Sequence, residues 1–393
     1  MERPVVQTQL SDWVAPLHAG DAAYTLLAVC PTSDAVLRGA LQAAGTARAP
    51  LLIAATRNQV DVDGGYTGWT PRALVARIRA ICTRLPHAPP VTVCVDHGGP
   101  WCKDVEHEAG ASWAEAKTAT QASIRAALDA GYRYVHIDAT NDPHSDSPPR
   151  VADMVDRTRA LLTWTETYRR AQGMPRITYE VGVEEVAPAA VDDPEARLDA
   201  FLRELGAALP DDVAPTFAVG DVGTVFGTGR FNARHARQVV AQVREQGMLV
   251  KAHYSDFVDA LDAYPRCGIG GANIGPGLSA VEYESLCELE QLAESVGATP
   301  TWHDALRTAL VESGRWRKWV DHDGPFEALD AATQATLLKT GSRYVWTDPS
   351  VEAARATLYE QVSRYRDADA FVVWRQRRAV TDMLHALNLV GQA

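Results

Sequence analysis

VTVCVDHGGPW, residues 91–101, runs apolar and β-branched for five residues and then stops at Asp96, His97 and two glycines. It reads as a buried strand that ends on two titratable groups. A strand apolar on both faces belongs in a sheet covered on both sides, usually a parallel one, and function in such sheets gathers at the carboxyl ends of the strands. An acid and an imidazole in that place suit a proton donor and a metal ligand. The plainer alternative is an aspartate capping the next turn and a histidine bonded to backbone.

Working outward, the chain alternates short apolar strands with Ala-rich segments of helical period. The strands are TLLAVC (25–30), LLIAAT (51–56), VTVCVDH (91–97), YVHIDAT (134–140), ITYEVGVE (177–184), TFAVGDVG (216–223), MLVKAHYSD (248–256) and GGANIGPG (270–277). Between them the spacing predicts helices over 33–44, 71–85, 113–130, 151–171, 194–209 and 233–246, two of them stopped by Gly131 and Gly247. Eight βα units in about 250 residues match a (β/α)8 TIM barrel; an open doubly wound sheet is the second choice. After residue 280 the composition turns helical, with helices predicted over 282–295, 303–312, 325–339 and 351–365. The expected organisation is therefore a barrel over 1–280 and, over 281–393, its last helix and a C-terminal helical extension packed on it.

The formal net charge of −12 excludes a general nucleic-acid or anionic-membrane surface, while leaving room for a local basic pocket. The Trp/Arg-rich segment GRWRKWV (314–320) is accordingly read as helix surface packed on the barrel. No run of about 18 apolar residues and no signal-peptide core is present, so a cytoplasmic protein is expected. The six cysteines are scattered without a CxxC pair, against a metal ribbon or a disulfide framework.

A barrel should collect polar residues where its strands end. Here strand two runs into Asn58 and Gln59, strand three into Asp96 and His97, and strand four carries Asp138. Strand five reaches Glu184, strand six Asp221, strand seven His253, Ser255 and Asp256, and strand eight Asn273. His97 and His253 with Glu184 make a ligand set for Zn²⁺ or another divalent ion (Mn, Co or Mg), and Asp96 is left to move a proton. A Lewis acid beside a carboxylate suits enolate chemistry on a ketose. The glycine-rich GGYTG (64–68) and GGANIGPG (270–277), Gly275 included, offer backbone N–H groups to a phosphate. No GxGxxG after the first strand, P-loop or GxSxG is present.

ATRNQVDVDGGYTGWTP (55–71), VDHGGPWC (95–102), YVHIDAT (134–140), YEVGVEEVAP (179–188), KAHYSD (251–256), IGPGLS (274–279) and RYVWTDP (343–349) resemble successive motifs of the GatZ/KbaZ family. That family comprises the so-called non-catalytic subunits of class II tagatose-1,6-bisphosphate aldolase and related metal-dependent ketose-phosphate 4-epimerases. The resemblance implies a (β/α)8 fold, a divalent metal and a phosphorylated ketose substrate. It makes Asp96 the acid/base, His97 and His253 metal ligands and Glu184 the strand-five acid. In one place the chain departs: where the family has a further metal-binding histidine after strand six, it reads FGTGRFN (226–232), with Arg230. A protonated guanidinium has no lone pair for a cation but suits a phosphate or carboxylate. Asn58, Gln59, Arg230, Asp256, Asn273 and Gly275 are the expected substrate contacts, and Asp138 joins Asp96 and Glu184 as a catalytic candidate. Two functions follow: a metal-dependent aldolase or epimerase acting on a sugar phosphate, as a homo-oligomer; or a stabilising subunit in a hetero-oligomer with a catalytic aldolase.

Overall fold

The computed structural model describes residues 10–145, 147–183, 193–224 and 231–393. Glu184 and Arg230 lie outside the described residues. Eight parallel strands close a barrel in sequence order: β1 (Leu26–Val29), β2 (Leu51–Thr56), β3 (Val91–Asp96), β4 (Tyr134–Asp138), β5 (Thr178–Gly182), β6 (Phe217–Val219), β7 (Leu249–Ala252) and β8 (Gly271–Ile274). Closure is made by β1, which pairs with β2 on one side and with β8 on the other, Val29 standing opposite Ile274. That pairing rules out the open sheet.

Local chemistry sets the helices between the strands. Ser33 caps the helix Asp34–Ala47 by accepting the Val36 amide at 3.1 Å, and Ser112 with Glu115 forms a reciprocal capping box on Trp113–Ala130. Gly131, at φ 104°, ends that helix in the left-handed conformation expected of a glycine stop. Strands six and seven are shorter than their apolar runs suggest, because the chain leaves the sheet after Val219 to turn at Gly223 (φ 86°) and leaves it after Ala252 to turn at Tyr254 (φ 50°).

After β8 a helix runs from Pro276 to Ser295 and is followed by Trp302–Ser313, Ala331–Gly341, Pro349–Val362 and Ala368–Ala386. These helices bury their own apolar cluster around Trp302, Trp316, Phe326 and Leu358. The last helix returns to the barrel: Val372 and Val373 join the extension's cluster, whereas Val380 and Leu384 join the barrel's. Its approach is close, and a Cβ on Gly39 would come within 2.4 Å of the Gln376 Cβ.

Two expectations for the extension change. The segment predicted as a helix over 325–339 is a short 3₁₀ turn, Phe326–Ala328, followed by a helix capped by Asp330, whose carboxylate accepts the Ala332 and Thr333 amides at 3.0 Å. The Trp/Arg segment is not helix surface on the barrel's flank. It is a 3₁₀ turn, Arg315–Trp319, which buries Trp316 and places Arg315, Arg317 and Lys318 over the mouth of the barrel. Among the described residues no helix is long and apolar enough to cross a membrane.

Candidate metal centre and its cavity

A cavity of about 600 Å³ opens at the carboxyl ends of the strands. Asp96, His97, His253 and Asn273 form its floor, Asn58 and Asp256 stand in its walls, and the extension covers it. At this floor and just beneath it lies a cluster of inward-facing side chains from β3, β4, β5 and the end of β7.

Asp96 ends β3, His136 lies in the middle of β4, Glu180 in the middle of β5 and His253 just beyond β7. One ligand atom from each lies within 4.8 Å of the others, and all four side chains are buried. Glu180 Oε1 is 3.1 Å from His253 Nε2 and 4.0 Å from His136 Nδ1. Its other oxygen accepts the Tyr134 hydroxyl and the Lys251 ammonium, each at 2.7 Å. Lys251 is itself fully buried, 3.9 Å from Asp96 Oδ1 and over the Tyr134 ring. Asn273 reaches across from β8, donating to Asp96 Oδ2 at 3.1 Å, with the same nitrogen 3.1 Å from His253 Nε2.

Burial alone would raise the Asp96 and Glu180 carboxyls. The charges of His97 and Lys251 on Asp96, and of Lys251 on Glu180, outweigh it and hold both well below the usual carboxylate range. Burial would lower the Lys251 ammonium, and Glu180 and Asp96 reverse that too.

The donor set fits a divalent ion. Two imidazoles and two ionised carboxylates are the N and O ligands such ions take. Lys251 supplies one fixed positive charge to two carboxylates, so the donor set stays net negative whenever His97 is neutral. Asn273 Oδ1, buried next to it, has no hydrogen-bond partner among the described residues.

His97 stands beside the four rather than among them. The backbone turns sharply there, with φ 46° at His97, and the His97 amide is 3.3 Å from His136 Nδ1. The loop then crosses the end of β4 so closely that a Cβ on Gly99 would fall 1.3 Å from the Asp138 carbonyl oxygen. Only glycine permits that crossing, and it brings His97 Nδ1 within 2.7 Å of Asp138 Oδ2. Asp138 is held in turn by the Thr140 amide and hydroxyl. Burial opposes its ionisation, but the bond to His97 keeps it well below the ordinary range. The His97–Asp138 pair thus resembles a proton-handling dyad more than a pair of ligands.

The remaining expected residues divide. Asn58 bonds the Cys102 carbonyl and Asp104, and Gln59 Oε1 accepts the Thr56 amide at 3.1 Å, so both brace the cavity wall. Asp221 accepts the Gly223 amide, a turn-forming role. The Gly275 and Gly277 amides, expected to face a phosphate, instead donate to Asp256 Oδ1 at 2.6 and 2.7 Å. A carboxylate from the same chain already occupies that anion position. Burial pushes the Asp256 carboxyl up to about 6, against these two bonds.

Residues 10–204 match the model of the D-tagatose-1,6-bisphosphate aldolase subunit GatZ/KbaZ-like family. That segment of the chain is GatZ/KbaZ-like. It carries β1 to β5, and with them three of the four clustered side chains. A relative from Agrobacterium fabrum named D-tagatose 6-phosphate 4-epimerase is 28% identical over 385 residues, covering 89% of this chain and 87% of its own. The barrel and extension also resemble a crystal structure described as a probable tagatose 6 phosphate kinase from Sinorhizobium meliloti 1021, with TM-score 0.74 and 22% identity over 92% of this chain and all of that one. The YdjI aldolase from Escherichia coli K12 shares the fold at TM-score 0.51 and 13% identity, with 99% of each chain covered. At such identities the two structures speak for the fold alone.

His136, Glu180 and Lys251 are not among the residues that the sequence singles out for this site. Each sits inside a strand, where an apolar core residue is expected, and not at its end. The available signal was the polarity itself: a histidine in YVHID, a glutamate in TYEVG and a lysine in LVKA have no place in an apolar run unless they meet one another.

Proposed function

We propose that the chain is a metal-dependent enzyme acting on a phosphorylated ketose, which it epimerises at C4 by opening and remaking the C3–C4 bond. The observation that carries this reading is the buried Asp96–His136–Glu180–His253 cluster at the floor of a cavity large enough for a hexose phosphate. The relative named as a 4-epimerase, aligned along most of both chains, favours epimerisation over net cleavage.

Asp96, His136, Glu180 and His253 would hold a divalent ion, zinc or a similar metal. When bound, such an ion polarises carbonyl and hydroxyl oxygens and stabilises the negative charge that develops on them. The chain's own groups do the rest. His97, aligned by Asp138, takes the proton from the C4 hydroxyl as the C3–C4 bond opens, and the bonding pair moves toward the C2 carbonyl. C4 becomes an aldehyde carbon, turns its other face to C3, and the bond re-forms as His97 returns the proton; atoms and charge balance over the cycle. Asn273 and Lys251 keep Asp96 and Glu180 ionised and in place. The extension covers the cavity and limits the access of water that would carry the aldehyde fragment away.

The test is elemental analysis and turnover of the purified chain beside its His136→Ala variant. Near-stoichiometric metal and conversion of D-tagatose 6-phosphate in the wild type, both lost in the variant, are expected; a metal-free wild type after incubation with divalent ions refutes the reading. The family's description as an aldolase subunit supports a second function, stabilisation of a separate aldolase. It requires that the chain turn over nothing alone and that it bind such a partner.

A further inference from the structure

The basic patch over the barrel mouth has no part in the chemistry above, and a guanidinium donor in it stands unused. Arg315 lies against two aromatic rings that pack edge-to-face on each other, with its guanidinium carbon 5.8 Å from the Tyr66 centroid and 5.3 Å from that of Tyr344. Its Nη1 is shielded from solvent and has no hydrogen-bond partner among the described residues, and the Tyr66 hydroxyl, shielded beside it, has the Gln59 side chain near it. An orphaned guanidinium donor at a cavity wall is uncommon, since buried donors are as a rule paired. The Tyr344 hydroxyl accepts from Arg343 at 2.8 Å and from Trp319 at 2.9 Å, so its own proton is left to point elsewhere. Arg343 is buried beside them, and Lys318 completes the group.

The acids nearby do not cancel this charge. Asp104 is 3.2 Å from Lys318 Nζ and 3.9 Å from Arg315 and is also held by Asn58, while Asp256, which faces Arg343, is bonded to the Gly275 and Gly277 amides, so among the described residues no carboxylate stands at hydrogen-bond distance from Arg315. In a chain of net charge −12 such a concentration of cations over a cavity calls for an anion. The other anion position, at the Gly275 and Gly277 amides, is filled by Asp256.

We infer that Arg315 and the Tyr66 hydroxyl, backed by Arg343, Tyr344 and Lys318, form the binding site for a phosphate monoester, the end of the substrate remote from the reacting carbons. This rests on the proposed function for the identity of the substrate, but not for the binding of phosphate itself. The geometry gives the C-terminal extension a direct role: it carries four of these five residues, while Tyr66 comes from the GGYTG loop after β2. A guanidinium fork supplies paired donors to a phosphate, and the two rings packed beside it shield it from water.

The experiment uses the full, metal-loaded chain and inorganic phosphate as the probe, read by titration calorimetry and by the fluorescence of Trp316 and Trp319. Arg315→Ala is expected to weaken phosphate binding about tenfold or more, and Arg315→Lys by less, since it keeps charge but loses the fork. Arg203→Ala, which removes the same charge from an exposed pair with Asp199, is expected to bind as the wild type does. Should Arg315→Ala fail to fold, Tyr66→Phe deletes only the hydroxyl and is expected to weaken binding about threefold to tenfold. Unchanged affinity in the folded Arg315 or Tyr66 variant, an equal loss in Arg203→Ala, or no phosphate binding by the wild type overturns the inference. A second arm separates the ester from the free ion: with ketose phosphate as substrate, Arg315→Ala should raise KM about tenfold while kcat stays within a few-fold, and the unphosphorylated ketose should show no such dependence on Arg315. Equal rises in KM for both sugars also overturn it. A chain that turns over no sugar at all defeats the proposed function, yet phosphate titration still judges this site.

Discussion

Replacing Lys251 by Met tests whether the cluster is built to receive a cation. Methionine nearly conserves the volume against Tyr134 and removes only the ammonium. At an effective dielectric of about 20, a unit charge 2.7 Å from Glu180 Oε2 and 3.9 Å from Asp96 Oδ1 gains about 6 and about 4 kcal/mol of gross attraction. Most of that is offset by the cost of taking three charges out of water. What is left on removing one partner is the penalty of uncompensated buried carboxylates, about 3–5 kcal/mol. Lys251→Met should therefore lose about 3–5 kcal/mol of unfolding free energy in the presence of a chelator.

With the ammonium gone, the site carries one more negative charge and should bind a divalent ion more tightly than the wild type does. An ion at about a hundred times its dissociation constant adds about 2.7 kcal/mol of stability. Urea denaturation of both proteins, with chelator and with Zn²⁺ or Mn²⁺, gives the four numbers needed. A third variant, Lys251→Met with Glu180→Gln, should be less destabilised than the sum of its parts, because the charge that lost its partner is also gone. A loss below about 1 kcal/mol in chelator, or metal stabilisation no larger in the variant than in the wild type, would refute the reasoning.

Asp256→Asn should separate by pH. The carboxyl is raised to about 6 in the fold from an ordinary value of 3.8, so the native chain binds the proton more tightly. Its stabilising contribution is complete below about pH 4 and is lost as the pH rises through 6. At pH 8 the ionised group costs about 3 kcal/mol at most, and about 1–2 kcal/mol once its partial exposure is allowed for. An amide oxygen still accepts the Gly275 and Gly277 amides, so the variant should be more stable than the wild type by that amount at pH 8 and equal to it at pH 4; denaturant titration showing the same gap at both pH values would contradict this. Asp138→Asn removes the anion that aligns His97 and should lower kcat about 10–100-fold while metal content stays at the wild-type level. Loss of metal in that variant would place His97 among the ligands after all.

The barrel was legible because parallel strands are covered on both faces and so appear as short, nearly unbroken apolar runs, each followed by a segment of helical period. The last helix, Ala368–Ala386, went unmarked because it has two partners: its apolar residues are shared between barrel and extension, and the single stripe that marks a surface helix is blurred. The turn Arg315–Trp319 could not be assigned to the cavity, since only the closed fold shows that the extension folds back over the strand ends. At the site, Asp96, His253 and Asn273 were legible as polar residues at strand ends, whereas the partners beneath them were not. Yet those partners obey a simple count. Side chains two apart on a strand face the same way, and in a barrel the inward ones stack in layers. Stepping back two residues from Asp138 reaches His136; stepping back two from His253 reaches Lys251. On β5 the strand ends at Gly182, and two residues before it lies Glu180. A lysine in the middle of LVKA cannot be buried without a carboxylate, and the inward layer at the same depth contains Glu180. Polar residues in the interior of a barrel strand are therefore better evidence of a site than polar residues at its end, because an end residue can cap a turn, as Asp221 does, while an interior one must find its partner across the barrel.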